Sequence, residues 1–410
     1  MKTALLIVLA VCFITTALPG LGATAYTNPM DFQTAVNAQS FQFTTTFDTL
    51  STGYPADNNG MLSISAVGSG SSGTQITLPP VAVDTNKQVS TPYTLGTSVG
   101  NGQFLAGNSD IITFTLSRPV NAVGLYLIGN PSPTGTPAIP FWKMHINAGS
   151  GFDALSATDP YQQLGNGNDV YFIGVVSTTE PFTTVDLFSD NDPAAVFSFN
   201  ADNVIVAANV PEVSISSVKA LSSGDALISN IPITRAHSDR FNVENSDRTS
   251  GVAVLGSGAS RGQNVSIWGT VTKTGDDEMV LNLVHLLPQD SSTPPKPLGM
   301  NTRAIGGSTT GMQIGCAGST GLNNIGLDVA VWGKITDINS TTGWITIDDG
   351  TGRTNDTAYK GIKVTGALDT TPHTIGQYLL VTGSSSLYKS GTAHYPLIRV
   401  ANPDDILTLQ

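Results

Sequence analysis

Hydrophobic residues in this chain alternate with polar ones far more often than they recur at helical spacing. Segments 40–47, 61–67 and 110–116 place apolar side chains between hydroxyl and amide residues, and a period of two predicts half-buried strands. Segments 120–128, 142–146, 170–176, 182–188 and 196–206 continue the series, separated by clusters of Pro, Gly and Asn. One helix is predicted ahead of them, with Asn28 as N-cap, Pro29 at its first position and Asp31 near its positive end. Eight or nine strands between residues 26 and 209 predict a jelly-roll-like β-sandwich.

The second half repeats one order of strands. Phe241-Asn-Val-Glu244, Gly251-Val-Ala-Val254 and Gly262-Gln-Asn-Val-Ser-Ile-Trp-Gly269 are echoed by Trp344-Ile-Thr-Ile-Asp348, Gly361-Ile-Lys-Val364 and Gly376-Gln-Tyr-Leu-Leu-Val-Thr-Gly383. Each copy has an earlier strand, near 226–234 and 327–336, and each predicts a five-stranded OB-like β-barrel. The expected organisation is a leader at 1–25, the sandwich at 26–209, barrels at 210–286 and 325–410, and between them a Gly/Pro/Ser-rich linker or strap at 287–324. The apolar residues Leu298, Met300, Ile305, Met312, Ile314, Leu322 and Ile325 favour a strap laid over the barrels, because a free linker has no use for them. The fold class is therefore all-β: a jelly-roll-like β-sandwich followed by two OB-like β-barrels.

Composition sharpens this picture. Lys2 precedes an apolar run ending at Leu18 and a small-residue site at Ala23-Thr-Ala25, the pattern of a secretory signal peptide cut after Ala25. The expected product is exported, secreted or at the cell surface, with no transmembrane segment once the leader is removed. Val11 is too bulky for Cys12 to complete a lipoprotein box. Cleavage leaves Cys316 alone, which excludes an intrachain disulfide. The region from Tyr26 to Asn209 carries 3 Lys/Arg against 13 Asp/Glu, whereas Val210 onward carries 14 against 17. With a net charge of −12 overall, a phosphate backbone is a disfavoured partner.

Phe32-Gln-Thr-Ala-Val36, Thr46-Phe-Asp-Thr-Leu-Ser-Thr-Gly53, Phe114-Thr-Leu-Ser-Arg-Pro-Val120 and Phe197-Ser-Phe-Asn-Ala-Asp202 resemble the ectodomains of secreted bacterial PEP-CTERM-type proteins. Val210-Pro-Glu-Val213 is similar to that family's sorting tetrad, but no hydrophobic helix and basic tail follow it. The segments 241–254 and 343–352 resemble strands two and three of extracellular bacterial OB-like domains. That resemblance implies a fold and leaves the ligand open.

Catalytic patterns are missing from the sequence. The five histidines form no His-Glu-x-x-His pair, and no Gly-x-Ser-x-Gly elbow occurs. Gly68-Ser-Gly-Ser-Ser-Gly73 matches a dinucleotide fingerprint in letters but leads into a strand, so the helix N-terminus that would bind pyrophosphate is lacking. Acidic loops leave room for a structural Ca²⁺, with Asp48 and Asp202 the best pair; turn chemistry explains the same residues. For ligand binding the candidates are Tyr126 and Trp142 in the sandwich and Trp344 and Arg353 in the second barrel. Tyr93 and Tyr161 are further aromatic positions in the sandwich, and Lys363 is a further cation of the second barrel that a nucleic-acid face would use. Trp268 and Trp332 lie in apolar strands and are expected in the cores. The expected function is a non-catalytic exported protein of surface or matrix interaction that binds an extracellular glycan or matrix component. The competing expectation is an extracellular hydrolase acting on polysaccharide or nucleic acid, with the barrels as accessory modules.

Overall fold

The computed structural model describes residues 22–45, 62–69, 75–77, 102–105, 111–129, 144–148, 152–155, 160–163, 169–189 and 196–409. The chain divides into two compact units, Met1–Asn209 and Val210–Gln410.

The first unit is built from two antiparallel sheets. One runs in the order Ala23–Tyr26, Asp169–Ser177, Ala122–Gly129, Val196–Ala208, Phe41–Thr45, with Gln162–Gln163 and Gly102–Leu105 attached. The other runs Gln75–Thr77, Leu62–Ser69, Ile111–Val120, Phe182–Ser189, Met144–Ala148, Phe152–Leu155. Alternation along Ala122–Gly129 and Asp169–Ser177 sends Val123, Leu125, Leu127, Ile173 and Val175 to fully buried positions. The opposite face of the same strands receives the helix Pro29–Val36. Asn28 caps that helix by accepting from the Met30 and Asp31 amides, satisfying donors that would otherwise be left open.

Phe32 docks the helix. Gly124 and Gly174 face each other across neighbouring strands, and a Cβ on either would come within 2.7–2.8 Å of the Phe32 or Phe172 rings. The two glycines thus open a notch into which the Phe32 ring is set, 5.2 Å from Phe172 and 5.9 Å from Tyr26 between centroids. Gly174→Ala is expected to overpack this notch and cost about 1–3 kcal/mol, read as a lower urea midpoint of the first unit's unfolding in the full chain.

The second unit contains two barrels of identical connectivity. The first uses Gly224–Ala236, Arg240–Glu244, Gly251–Leu255, Gln263–Lys273 and Met279–Ser291 as strands one to five; the second uses Asp328–Asn339, Trp344–Asp348, Ile362–Gly366, Tyr378–Ser390 and Ala393–Val400. In both, the order around the barrel is one, two, three, five, four, with four pairing back to one. Strands three and five are parallel in each copy and every other pairing among the five is antiparallel. This is the Greek-key closure of an OB-like barrel. Each fourth strand is entered through a left-handed glycine, Gly262 at φ 86° and Gly376 at φ 95°, a backbone conformation that side chains with a Cβ avoid. The cores are aliphatic: Ile233, Val243, Val254, Ile267 and Leu281 in the first, Val331, Ile345, Ile347, Val364 and Ile398 in the second.

The tetrad at 210–213 begins the second unit. The Leu227 amide donates to the Pro211 carbonyl at 2.8 Å and the Val213 amide to the Leu227 carbonyl at 2.9 Å, so this segment is stitched onto strand one of the first barrel. Strand five of that barrel extends to Ser291, past the expected limit at 286. The connection that follows is a strap. Leu298–Gly299 pairs in parallel with the second barrel's first strand, Ile305 enters that barrel's core, and Cys316 and Ile325 cluster with Leu387. Met312 and Leu322 depart from the expectation and are 38% and 86% exposed.

Candidate functional site

The outer face of strands two and three is where OB-like barrels take oligonucleotides and oligosaccharides. The two copies treat this face differently. In the first barrel, Phe241 and Val243 point into the core, so Arg240, Asn242 and Glu244 point out, yet all three are buried. Asn242 donates to the Gly326 carbonyl at 3.1 Å and accepts from Ser384 Oγ at 2.8 Å. Glu244 accepts from the Asp328 amide at 2.8 Å. Arg240 Nη1 lies 3.6 Å from Glu278, which accepts from Ser386 Oγ at 2.6 Å. Gly251 of strand three meets Gly326 backbone to backbone, and a Cβ on either would fall 2.4–2.6 Å from the other's main chain. The first copy's face is therefore filled by the second copy and its strap.

Burial sets the electrostatics of this contact. It pushes the Glu244 carboxyl up to about 7, and the nearby Asp328 charge acts in the same direction. Asp328 is itself held above the usual carboxylate range by burial, although Arg235 donates to it at 2.7 Å. Arg235 also pairs with Asp405 at 2.5 Å.

The same face of the second barrel carries a cluster of its own. Lys363 of strand three places Nζ 4.9 Å from the centroid of the Trp344 ring on strand two and 4.2 Å from that of Tyr388 on strand four. Tyr388 stacks on Tyr395, directly opposite it on strand five, with centroids 5.7 Å apart and planes at 29°. Asp356 completes the group: Lys363 Nζ sits 3.0 Å from its Oδ1, and Tyr388 Oη donates to the same oxygen at 2.5 Å. Trp344, Tyr388 and Tyr395 are half-buried, each keeping part of its ring at the surface. Three aromatic rings, an ammonium held between two of them and a carboxylate together present apolar faces and a fixed polar pair.

Of the residues singled out in the sequence, Trp344 lies in this cluster, as does Lys363. Arg353 lies elsewhere. It is 5% exposed; Nη1 donates to the carbonyls of Thr302, Arg303 and Ile305, and Nη2 to the Ala317 carbonyl and Ser319 Oγ. Its guanidinium therefore holds the strap and faces no open surface. Tyr126 is half-buried in the sandwich, packed on Phe172 at 5.1 Å and near Tyr161 at 6.4 Å. Trp142, Tyr93 and Asp48 lie outside the described residues, and Asp202 lies on Val196–Ala208 opposite Tyr126. Among the described residues no group of three or more His, Cys, Asp or Glu is placed to hold a metal ion.

Trp268 is buried, with Nε1 donating to Asp225 at 3.1 Å. Trp332 is half exposed, against expectation, because Val329 and Val331 take the inward positions of its strand. It forms a second aromatic surface with Tyr378 at 6.4 Å. Tyr388, Tyr395 and Asp356 were not singled out in the sequence. The signal available for the two tyrosines was their symmetric placement about the Gly391-Thr392 turn.

Two cavities lie apart from the cluster. One of about 520 Å³ is lined by Arg235, Arg261, Asp405 and Asn402, and its guanidinium charges face Asp328 and Asp405. Another of about 320 Å³ is lined by Cys316, Ser319 and His394. His394 Nε2 lies 2.9 Å from Asp277, but burial pushes the Cys316 thiol up to about 12, the reverse of what a thiolate nucleophile needs. No helix among the described residues is long and apolar enough to cross a membrane. No protein-family model matches the chain, and no curated protein matches it.

Two outcomes test this assignment of roles. Arg353→Leu strands several strap carbonyls and is expected to cost about 3 kcal/mol, since hydrogen bonds to a charged group are worth about 1.5–3 kcal/mol each, measured by chemical denaturation. Glu244 binds its proton more tightly in the folded state than at its ordinary 4.5. Its contribution to stability is thus present below 4.5 and lost as pH rises to about 7. Glu244→Gln is expected to raise Tm at pH 8 relative to the parent and to change it little at pH 4.

Proposed function

We propose that this chain is a non-catalytic, exported binding protein whose second barrel holds an extracellular carbohydrate on the face formed by Trp344, Lys363, Tyr388 and Tyr395. The observation that carries the reading is this cluster's position on strands two and three of the second barrel, where Trp344, Tyr388 and Tyr395 keep part of their rings at the surface. Sugar rings offer C–H faces that stack on aromatic rings and hydroxyls that bond to ammonium and carboxylate groups, and the cluster supplies both kinds of partner.

A single-stranded nucleic acid would need a positive groove tracking its backbone. Here the one cation of the cluster is matched by Asp356, and the chain carries a net charge of −12. Export is supported by the leader-like first 25 residues and belongs to the same proposal.

Affinity electrophoresis of the full chain through gels containing soluble polysaccharides, followed by titration with oligosaccharides of the retarding polymer, tests the reading. Trp344→Ala and Tyr395→Ala are expected to weaken binding about tenfold, the equivalent of about 1.4 kcal/mol, while Trp332→Ala binds as the parent does. Equal binding by all three variants, or binding of single-stranded oligonucleotide in place of sugar, would sink it.

A further inference from the structure

The larger cavity, of about 520 Å³, lies where the two barrels and the strap meet. The first barrel contributes Arg235 from strand one and Ser260 and Arg261 from the turn before strand four. Pro297 comes from the strap, and Asn402 and Asp405 follow the last barrel strand of the second copy. Both guanidiniums face the fully buried Asp328 from its two oxygens. Arg235 Nε donates to Oδ1 at 2.7 Å, and Arg261 Nη2 lies 3.9 Å from Oδ2. The two cations are therefore neighbours, close enough to share a second carboxylate entering from the cavity.

The acceptors of the lining are committed and its donors are not. Asp405 pairs through Oδ1 with Arg235 Nη1, and its Oδ2 accepts from the Ala401 and Asn402 amides at 2.8 and 2.9 Å. Asp328 lies behind the cavity wall and is no part of the lining. Arg235 is 4% exposed, yet its Nη2 has no partner among the described residues. Arg261 Nε donates to the Thr234 carbonyl at 2.8 Å, and its Nη2 stops outside hydrogen-bond reach of Asp328. Its side chain is half exposed, with both terminal nitrogens uncommitted.

A ligand suited to this lining must bring acceptors. A carboxylate matches a guanidinium edge through two parallel N–H···O bonds, and such charge-assisted bonds are about twice as strong as neutral ones. The remaining wall is small and apolar, from Pro297, Ala236, Ala259 and Ala401. The volume falls within the range of small-molecule sites, about 300–1,000 Å³, and exceeds what a bare inorganic ion would fill. We propose that this cavity binds an organic carboxylate of about the size of one sugar ring, its carboxylate held by Arg261 and by Nη2 of Arg235. The site is separate from the Trp344 face and does not rest on the glycan reading of it.

Thermal unfolding of the full chain with sodium glucuronate, with glucose and sodium sulfate as matched probes at constant ionic strength, tests the proposal. Glucuronate is expected to raise Tm along a saturable curve, because a ligand of the native state stabilises it. Glucose, which lacks the carboxylate, is expected to give no saturable shift, and sulfate, which lacks the carbon skeleton, to bind at least about tenfold more weakly. Arg261→Ala is expected to weaken glucuronate binding about tenfold. Arg261→Lys, which keeps the charge and loses the fork, is expected to fall between the two. No saturable shift with glucuronate, or an equal one in both Arg261 variants, would overturn the proposal. So would an equal response to glucose, or one to sulfate that matches glucuronate and marks an adventitious ion only.

Discussion

The second unit depends on a buried polar contact between two barrels that share one topology. Asn242 and Glu244, at alternate positions of one strand of the first barrel, meet Ser384, the Gly326 carbonyl and the Asp328 amide, while Arg240 lies beside Glu278 of its own barrel, which Ser386 reaches from the second. Hydrogen bonds are directional, and a buried polar group left unpaired costs more than the bond itself contributes. The hydrogen bonds at Asn242, Glu244 and Glu278 therefore fix one orientation, whereas an apolar face of the same area would tolerate sliding, although Arg240 Nη1, Glu244 Oε1 and Asp328 Oδ2 keep no hydrogen-bond partner. The cost appears in the raised carboxyls of Glu244 and Asp328, which the fold confines where water cannot solvate them.

This contact makes two barrels of one topology present different surfaces. The first barrel spends its strand two and three face on its neighbour. The second barrel keeps the equivalent face, where Trp344, Lys363, Tyr388 and Tyr395 stand together. The strap follows from the same geometry: it must pass from strand five of one barrel to strand one of the other while covering the seam, and Arg353, Lys219 and Ile305 hold it from three directions.

Much of the fold was legible because strands announce themselves by alternation. Val123, Leu125 and Leu127, or Val252 and Val254, mark inward faces without any knowledge of their partners, and Asn28-Pro29 marks the single longer helix. The left-handed glycines ahead of both fourth strands were visible as a repeat. What the sequence withheld was whatever depends on the second barrel meeting the first. Arg353 reads as an exposed cation beside a turn, and only the strap's carbonyls turn it inward. Trp332 reads as core because its neighbours are valines, yet period two gives those valines the inside and leaves the indole out. Tyr388 and Tyr395 lie seven residues apart and become neighbours only through the hairpin register. Trp344 and Lys363 were visible as residue types, but their convergence on Tyr388 is a property of barrel closure.

The backbone meeting of Gly251 and Gly326 has a consequence for how this chain can be reused. A Cβ at either position would be driven into the partner's main chain, so the two copies are keyed to each other at a point that admits no side chain. A freely shuffled module must keep its surface indifferent to its neighbours. Here the first barrel, cut away, would present Arg240, Asn242 and Glu244 without their partners and a bare backbone notch shaped for one occupant. Recombination could carry off the barrel pair whole, but the two barrels, keyed at this point, form one inheritable piece.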